Sequence, residues 1–219
     1  VGLIRDLQEA LDPLGVEEEI IIVDDNSPDG TGRAVEEAYP DDPRVKLYVR
    51  TEEKGLATAI RYGIDRCTGN LVVVMDTDYN HHPSVVPQMV EFAKYYDFVI
   101  GSRYTVGGGM ENRGRHLGSA LYNFFIRLVL NTRIQDNLSG FLCCRRSLLD
   151  QVDKDRIFQG YGDYFIRLIY DMVKQNRKIL EVPVFYNNRL AGESKTNLIK
   201  LLGSYTLAII RLRLYSFRS

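Results

Sequence analysis

The chain has 219 residues, of which 45% are hydrophobic and 26% charged, and carries a formal net charge of −1. These figures exclude disordered, collagenous and coiled-coil architectures, remove any global basic bias toward nucleic acid, and suit one α/β domain or two small ones. Cys67, Cys143 and Cys144 form neither a CxxC pair nor an even framework, which argues against a disulfide scaffold or structural zinc and for a reducing, cytosolic-facing compartment.

Val1 to Leu11 carries Leu3, Ile4, Leu7 and Leu11 at helical spacing, so the chain opens on a predicted helix. A doubly wound sheet normally opens on a strand, and the expectation is that a first strand is missing. Predicted strands follow at 19–24, 45–49, 71–75 and 98–100, nearly continuous apolar runs that suit parallel strands buried on both faces. Predicted helices at 31–38, 56–67 and 84–95 alternate with them. Residues 101–114, rich in glycine and charge, read as a mobile loop. Beyond it lie a helix at 116–131, a strand at 141–144, a helix at 162–175 and a strand at 178–186. The last helix, 196–217, is strongly apolar and carries Lys200, Arg211 and Arg213, with Arg218 just beyond it. No run of about 18 uncharged apolar residues occurs, so neither a membrane span nor a signal peptide is expected. The expected organisation is an α/β unit over 1–190 and an amphipathic C-terminal helix within 191–219.

Acids cluster where strands end. Asp24-Asp25 closes the first strand and Asp76-Thr77-Asp78 the third, and ligands of open α/β sheets sit beyond the carboxyl ends of the strands. Aspartates at i and i+2 converge on one cation if the chain turns between them, and such oxygen donors suit Mg²⁺ or Mn²⁺ bridging to substrate phosphates. A solvated turn with an Asx cap is the alternative. His81 and His82 raise zinc, but adjacent residues seldom ligate one ion, and no cysteine or third histidine is near in sequence. Cys143-Cys144 reads as buried packing.

Taken in order, seven blocks resemble family-2 glycosyltransferases of the dolichol-phosphate mannose synthase type. They are Ile22 to Thr31 (IVDDNSPDGT), Lys54 to Ala59 (KGLATA), Val74 to Pro83 (VMDTDYNHHP), Gly101 to Tyr104 (GSRY), Ser139-Gly140-Phe141, Glu181-Val182-Pro183, and Ala191 to Lys195 (AGESK). The resemblance covers nearly the whole chain. It implies a GT-A fold, Rossmann-like and mostly parallel with helices on both faces, and inverting transfer of mannose from GDP-mannose to a polyprenyl phosphate with a divalent metal. It places Asp24 and Asp25 near the nucleotide base and ribose, Asp76 and Asp78 on the metal, and Asn80 where relatives carry Gln as a further metal contact. Arg103, Arg115 and Lys195 match basic positions that hold the acceptor phosphate, with Ser194 beside them as substrate contact or helix cap. Leu142 stands where many relatives have Arg.

Charge supports this division of labour. A diphosphate meeting a carboxylate near 4 Å is repelled by roughly 4 kcal/mol at an effective dielectric near 20, which calls for a bridging cation. A phosphate acceptor, with a second pKa of about 6, is already ionised at neutral pH and needs positioning more than a base. By the same resemblance Asp163 lies roughly where hydroxyl-directed relatives keep a base; capping the following helix or orienting Lys195 are its other roles. The apolar tail reads either as a membrane-interface helix, with Arg211, Arg213 and Arg218 toward anionic headgroups, or as a helix packed on the core. The expected location is peripheral, on the cytosolic face of a membrane, with a membrane-anchoring partner subunit as one route. Competing readings are a UDP-glucose or UDP-N-acetylhexosamine donor, a nucleotidyltransferase, and a non-catalytic nucleotide-sugar binder.

Overall fold

Runs rich in Val, Ile and Leu become strands here, and helices cover both of their faces. The computed structural model describes residues 1–187 and 198–216. In chain order the elements are α1 (Gly2–Leu11), β1 (Ile20–Asp24), α2 (Thr31–Ala38), β2 (Val45–Val49), α3 (Leu56–Ile64), β3 (Leu71–Val74), α4 (Val86–Phe92), β4 (Phe98–Ser102) and β5 (Gly109–Met110). They continue with α5 (Arg113–Leu130), β6 (Leu142–Arg145), α6 (Arg146–Asp150), α7 (Lys154–Ile157), α8 (Asp163–Lys174), β7 (Ile179–Pro183), β8 (Phe185–Tyr186) and α9 (Leu198–Ser216).

β1 pairs with β2 in parallel. β3, β6, β4 and β7 form a four-stranded sheet in that order, with β6 antiparallel to both neighbours and β4 parallel to β7. β5 pairs in parallel with β8. Because β6 alone reverses, β3, β4 and β7 point the same way and their carboxyl ends share one edge. The turn that enters β6 lies at that edge too. This topology gathers the chemistry-bearing loops.

Phe98, Ile100, Leu142 and Cys144 face one layer, under α3 and α8, while Val99, Phe141 and Cys143 face the other, against α1 and α4. Burial on both sides is why these strands read as unbroken apolar runs. The adjacent cysteines Cys143 and Cys144 are free thiols that pack in opposite layers, and burial pushes the Cys143 thiol up to about 12.

No strand precedes β1 among the described residues, and no ladder joins β1 to β3. The apolar residues of β1 stay half-buried, whereas those of β4 are wholly buried. α3 spans the two pieces: Gly63 lies against Ile21 and Val23, while Ala57 and Ile64 pack with Val72. Glu19 adds a polar bridge, accepting from Lys46 Nζ at 2.5 Å, from Gly69 N–H at 2.9 Å, and from the Thr68 N–H.

Three expectations change in the structure. The segment 101–114 is tied down rather than mobile, since Gly109–Met110 pairs with β8 and both Ser102 and Arg103 are buried. The predicted strand 178–186 breaks at Val184, whose N–H turns to the Ser102 carbonyl at 3.0 Å, and its end swings across as β8. The predicted helix 84–95 starts as a 3₁₀ turn at Pro83–Val85, because the His82 ring accepts the Ser84 N–H.

Burial pushes the Glu19 carboxyl up, but the Lys46 ammonium and the Thr68 and Gly69 donors outweigh it and hold the group down at about 2. A depressed carboxyl contributes stability that is full above its unfolded pKa of about 4.3 and is lost as pH falls toward 2. Glu19→Gln is expected to remove about 1–2 kcal/mol at neutral pH, allowing for solvent screening, and to flatten the urea-unfolding midpoint between about pH 4.5 and 2.

Candidate active site

β3 delivers the acidic loop to the shared edge. Met75 to His81 turns sharply there, with Tyr79 at φ +61°, a left-handed conformation that needs outside support for a bulky residue. Support comes from α1: the Tyr79 hydroxyl donates to Asp6 Oδ2 at 2.7 Å. Asp76 stays about half exposed. Asn80 donates to Asp78 through Nδ2 at 2.8 Å and through its backbone N–H at 3.2 Å, so its amide holds that carboxylate.

His81 is wholly buried and is no surface zinc ligand. Its Nδ1 accepts the Asp76 N–H at 2.7 Å; its Nε2 lies 2.7 Å from the Tyr186 hydroxyl and 3.0 Å from the Ser139 carbonyl oxygen. An amide N–H can donate only to an unprotonated nitrogen, so the proton sits on Nε2. The ring stacks on Phe141 at 4.7 Å between centroids. Burial lowers its pKa against the pull of Asp76 and Asp78, keeping it neutral.

Asp24 and Asp25 diverge. Asp24, at the end of β1, is buried beneath α2 and accepts the Ser27 N–H at 3.1 Å; a Cβ on Gly32 would stand 2.8 Å from its Oδ2, which is why glycine occupies that position. Asp25 turns to the buried Arg50, whose Nε donates to it at 2.7 Å, and accepts the Gly55 N–H at 2.7 Å, fixing the turn that enters α3.

β4 delivers Arg103. Its Nε and Nη2 meet Asp136 bidentately, both at 2.7 Å, and its N–H donates to the same carboxylate at 3.0 Å. The guanidinium also lies 4.9 Å from the centre of the Tyr186 ring. Arg115 is exposed in the first turn of α5, and the neighbouring His116 meets Tyr104 edge-on at 4.9 Å, bringing that turn beside Arg103. Asp163 is buried at the start of α8, paired with Arg167 at 2.6 Å and accepting the Tyr161 N–H at 2.8 Å, which commits it to the helix start. Ser194 and Lys195 lie outside the described residues.

The edge therefore brings together Asp76, Asp78, Asn80 and Arg103, with Arg115 flanking; Asp24 and Asp25 shape the neighbouring lip of β1. Sequence reasoning missed Asp136, for which the available signal was one acid shortly before Ser139-Gly140-Phe141, and it weighed His81 only for zinc. Among the described residues no three His, Cys, Asp or Glu side chains gather to hold an ion. An ion at Asp76 and Asp78 would complete its shell with phosphate oxygens or water, which fits the habits of Mg²⁺ and Mn²⁺.

The model for Glycosyl transferase family 2 matches residues 5–153, well over half of the chain. The chain belongs to that family. It is a glycosyltransferase, and its fold is GT-A-like. Among similar proteins, the undecaprenyl-phosphate mannosyltransferase of Micrococcus luteus is 33% identical over 186 residues, covering 82% of this chain and 76% of that one. The dolichol-phosphate mannosyltransferase of Pyrococcus furiosus is 36% identical over 187 residues, covering 83% of this chain and 51% of that one. This glycosyltransferase thus spans about half the length of the Pyrococcus relative. In three dimensions it superimposes on glucosyl-3-phosphoglycerate synthase from Mycobacterium tuberculosis, solved with Mn²⁺ and UDP-glucose, with a TM-score of 0.69 over 96% of this chain and 74% of that one, at 18% identity.

Breaking a buried ion pair leaves the surviving charge desolvated. Asp136→Ala is expected to cost about 3–5 kcal/mol, read as a lowered urea midpoint, with Arg103→Ala in the same background recovering part of the loss.

Proposed function

We propose that this glycosyltransferase transfers mannose, with inversion, from GDP-mannose to a polyprenyl phosphate at a membrane surface. The observation that carries the reading is the meeting, at one sheet edge, of an acidic loop and an arginine-lined flank that runs directly into an exposed apolar helix face. The mannosyltransferase names of the relatives support the sugar and the acceptor class.

In this reading Asp76 and Asp78 hold a divalent metal, Mg²⁺ or Mn²⁺, with Asn80 orienting Asp78. The metal, when bound, offsets the charge of the donor diphosphate and of the leaving group. Asp24 and Asp25 frame the nucleotide end through the turns they fix. Arg115, Ser194 and Lys195 position the acceptor phosphate, and Arg103, neutralised by Asp136, braces that side. The phosphate is ionised at neutral pH, so no side chain has to remove a proton from it. This agrees with the commitment of Asp163 to Arg167.

The membrane reading rests on α5 and α9. Leu117, Leu121, Phe124 and Leu128 recur along one face of α5 and are all exposed. α9 packs beside it, burying Tyr205, Ala208, Ile209 and Leu212 and exposing Leu202, Leu207, Ile210 and Leu214 next to Arg211. A contiguous apolar surface of this kind marks an interaction site, and basic residues at its rim suit anionic headgroups. No helix among the described residues is long and apolar enough to cross a membrane. The protein then sits peripherally on the cytosolic face, alone or with an anchoring partner subunit.

The direct test is transfer of label into an organic extract from GDP-mannose or UDP-glucose, in parallel, with a short polyprenyl phosphate and Mg²⁺ or Mn²⁺. Label from GDP-mannose alone is the expected result; label from UDP-glucose alone replaces the donor. Asp78→Ala is expected to reduce turnover by 100-fold or more while leaving the thermal midpoint within a few degrees, and normal metal-dependent turnover would refute the metal assignment. Leu121→Glu with Phe124→Glu is expected to lower flotation with anionic liposomes about tenfold or more, since each buried large apolar group contributes about 1.5–3 kcal/mol. Unchanged flotation would remove α5 from the membrane contact.

A further inference from the structure

His81 has no role in the chemistry above, yet its position is highly constrained. It is wholly buried, every polar atom of the ring has a partner, and those partners come from three separate segments: the Asp76 amide in the acidic loop, the Ser139 carbonyl in the turn entering β6, and the Tyr186 hydroxyl on β8. Tyr186 in turn donates to the Ser139 carbonyl at 3.1 Å and presents its ring to the Arg103 guanidinium. The hydrogens run in one direction. The Asp76 N–H enters Nδ1, Nε2–H faces the Tyr186 oxygen, and the Tyr186 O–H ends on the carbonyl of Ser139. Phe141 covers one face of the imidazole, so the ring cannot swing without opening the core.

We propose that His81 is a positioning residue that clamps the Asp76 main chain, presetting the acidic loop for the donor diphosphate and its metal. This rests on the reading of Asp76 and Asp78 as the donor-side acids. The physical reason is entropic. A half-exposed seven-residue turn that holds a bulky residue at positive φ would sample many conformations, and each fixed backbone residue costs roughly 1–2 kcal/mol. Tyr79 on Asp6 anchors the middle of the turn from α1; His81 anchors its beginning from the core. With both anchors set, Asp76 and Asp78 stand ready before the donor arrives. The anchor works through backbone, so it leaves both carboxylates uncommitted to the histidine's hydrogen bonds. A lysine or arginine in its place would add a competing charge beside the acids.

The test separates the two ends of the ring. His81→Asn keeps an acceptor near the Nδ1 position and loses the Nε2 contacts; His81→Gln keeps a polar group near Nε2 and loses the acceptor for Asp76. Amide exchange at Asp76 in the metal-free protein reads the clamp itself. Mn²⁺ uptake in the presence of GDP, followed by paramagnetic resonance, reads its consequence. His81→Gln is expected to speed exchange at Asp76 at least tenfold and to weaken Mn²⁺ uptake about 10–100-fold, the usual cost of losing an outer-shell partner. His81→Asn is expected to stay within about threefold of the parent on both measures, and donor KM is expected to rise more than kcat falls in His81→Gln. Unchanged exchange in His81→Gln overturns the proposal. Equal damage in both variants also overturns it, because a space-filling role makes no such distinction. If the parent protein takes up no Mn²⁺ while exchange still follows the series, the metal reading fails and the clamp stands. Should neither variant fold, scalar coupling across Asp76 N–H···Nδ1 in the parent protein decides the matter, and its absence overturns the proposal.

Discussion

The carboxylate of Asp136 has no exposure to water, and the edge of the sheet is organised around keeping it satisfied. An isolated buried charge would cost many kcal/mol, so the loop that carries it can take few shapes. Arg103 meets it from β4 with three donors. Glu181 on β7 accepts the N–H groups of Gln135 and Asp136 at 2.8 and 3.0 Å, and Asn123 on α5 accepts the Asn137 N–H at 2.7 Å. One short loop thereby locks two strands and a helix to the entrance of β6. Without that lock the turn through Ser139 has no fixed place, and His81 and Tyr186 lose the carbonyl that both of them meet.

The same pair divides the electrostatics of the edge. Burial pushes the Arg103 pKa down, but the Asp136 carboxylate outweighs it and holds the group well above its ordinary value, so the guanidinium is permanently charged and already neutralised. Under the proposed function, an anion approaching this side meets its attraction in Arg115 and Lys195. Arg103 supplies rigidity, through Asp136 and through the face of Tyr186, whose hydroxyl reaches His81. Tyr186 is thus shared between the arginine flank and the acidic loop, and a displacement on one side is felt on the other through a packed ring and one hydrogen bond.

Much of this was legible in the sequence because strand, helix and acid positions follow local periodicity. β2 and α2 occupy the predicted residues, and the acids stand at strand ends as the topology requires. The misses share a cause. Asp136 meets Arg103 from 33 residues away, and the contacts that hold the far side of the His81 ring in the core come from 58 residues away or more; no local pattern announces such partners. The segment 101–114 reads as loose because it is glycine-rich, yet it is fixed by a two-residue ladder to β8 that only the break at Val184 makes available. In α5, Leu117, Leu121, Phe124 and Leu128 look like a core stripe, while the face that enters the core carries Asn123, Ile126 and Leu130. A helix with apolar residues on two sides does not tell periodicity which side is covered.

That ambiguity in α5 is where fold and proposed function join. Under the proposed function the acceptor is a lipid-linked phosphate that can leave the bilayer only as far as its first isoprene units allow, which brings this edge down to the headgroups. Arg115 sits in the first turn of α5 and the exposed stripe begins at Leu117, less than one turn further on. From Leu117 to Leu128 the stripe runs about 16 Å at 1.5 Å per residue, long enough to lie along an interface and too short to cross a hydrocarbon core of about 30 Å. Apolar anchoring and phosphate recognition then belong to one rigid helix, with depth set by the leucines and the anion met at the helix's N-terminal end, where the backbone dipole also favours negative charge. Under the proposed function the two apolar sides of α5 then have separate tasks, the one with Ile126 and Leu130 entering the core and the one from Leu117 to Leu128 facing lipid.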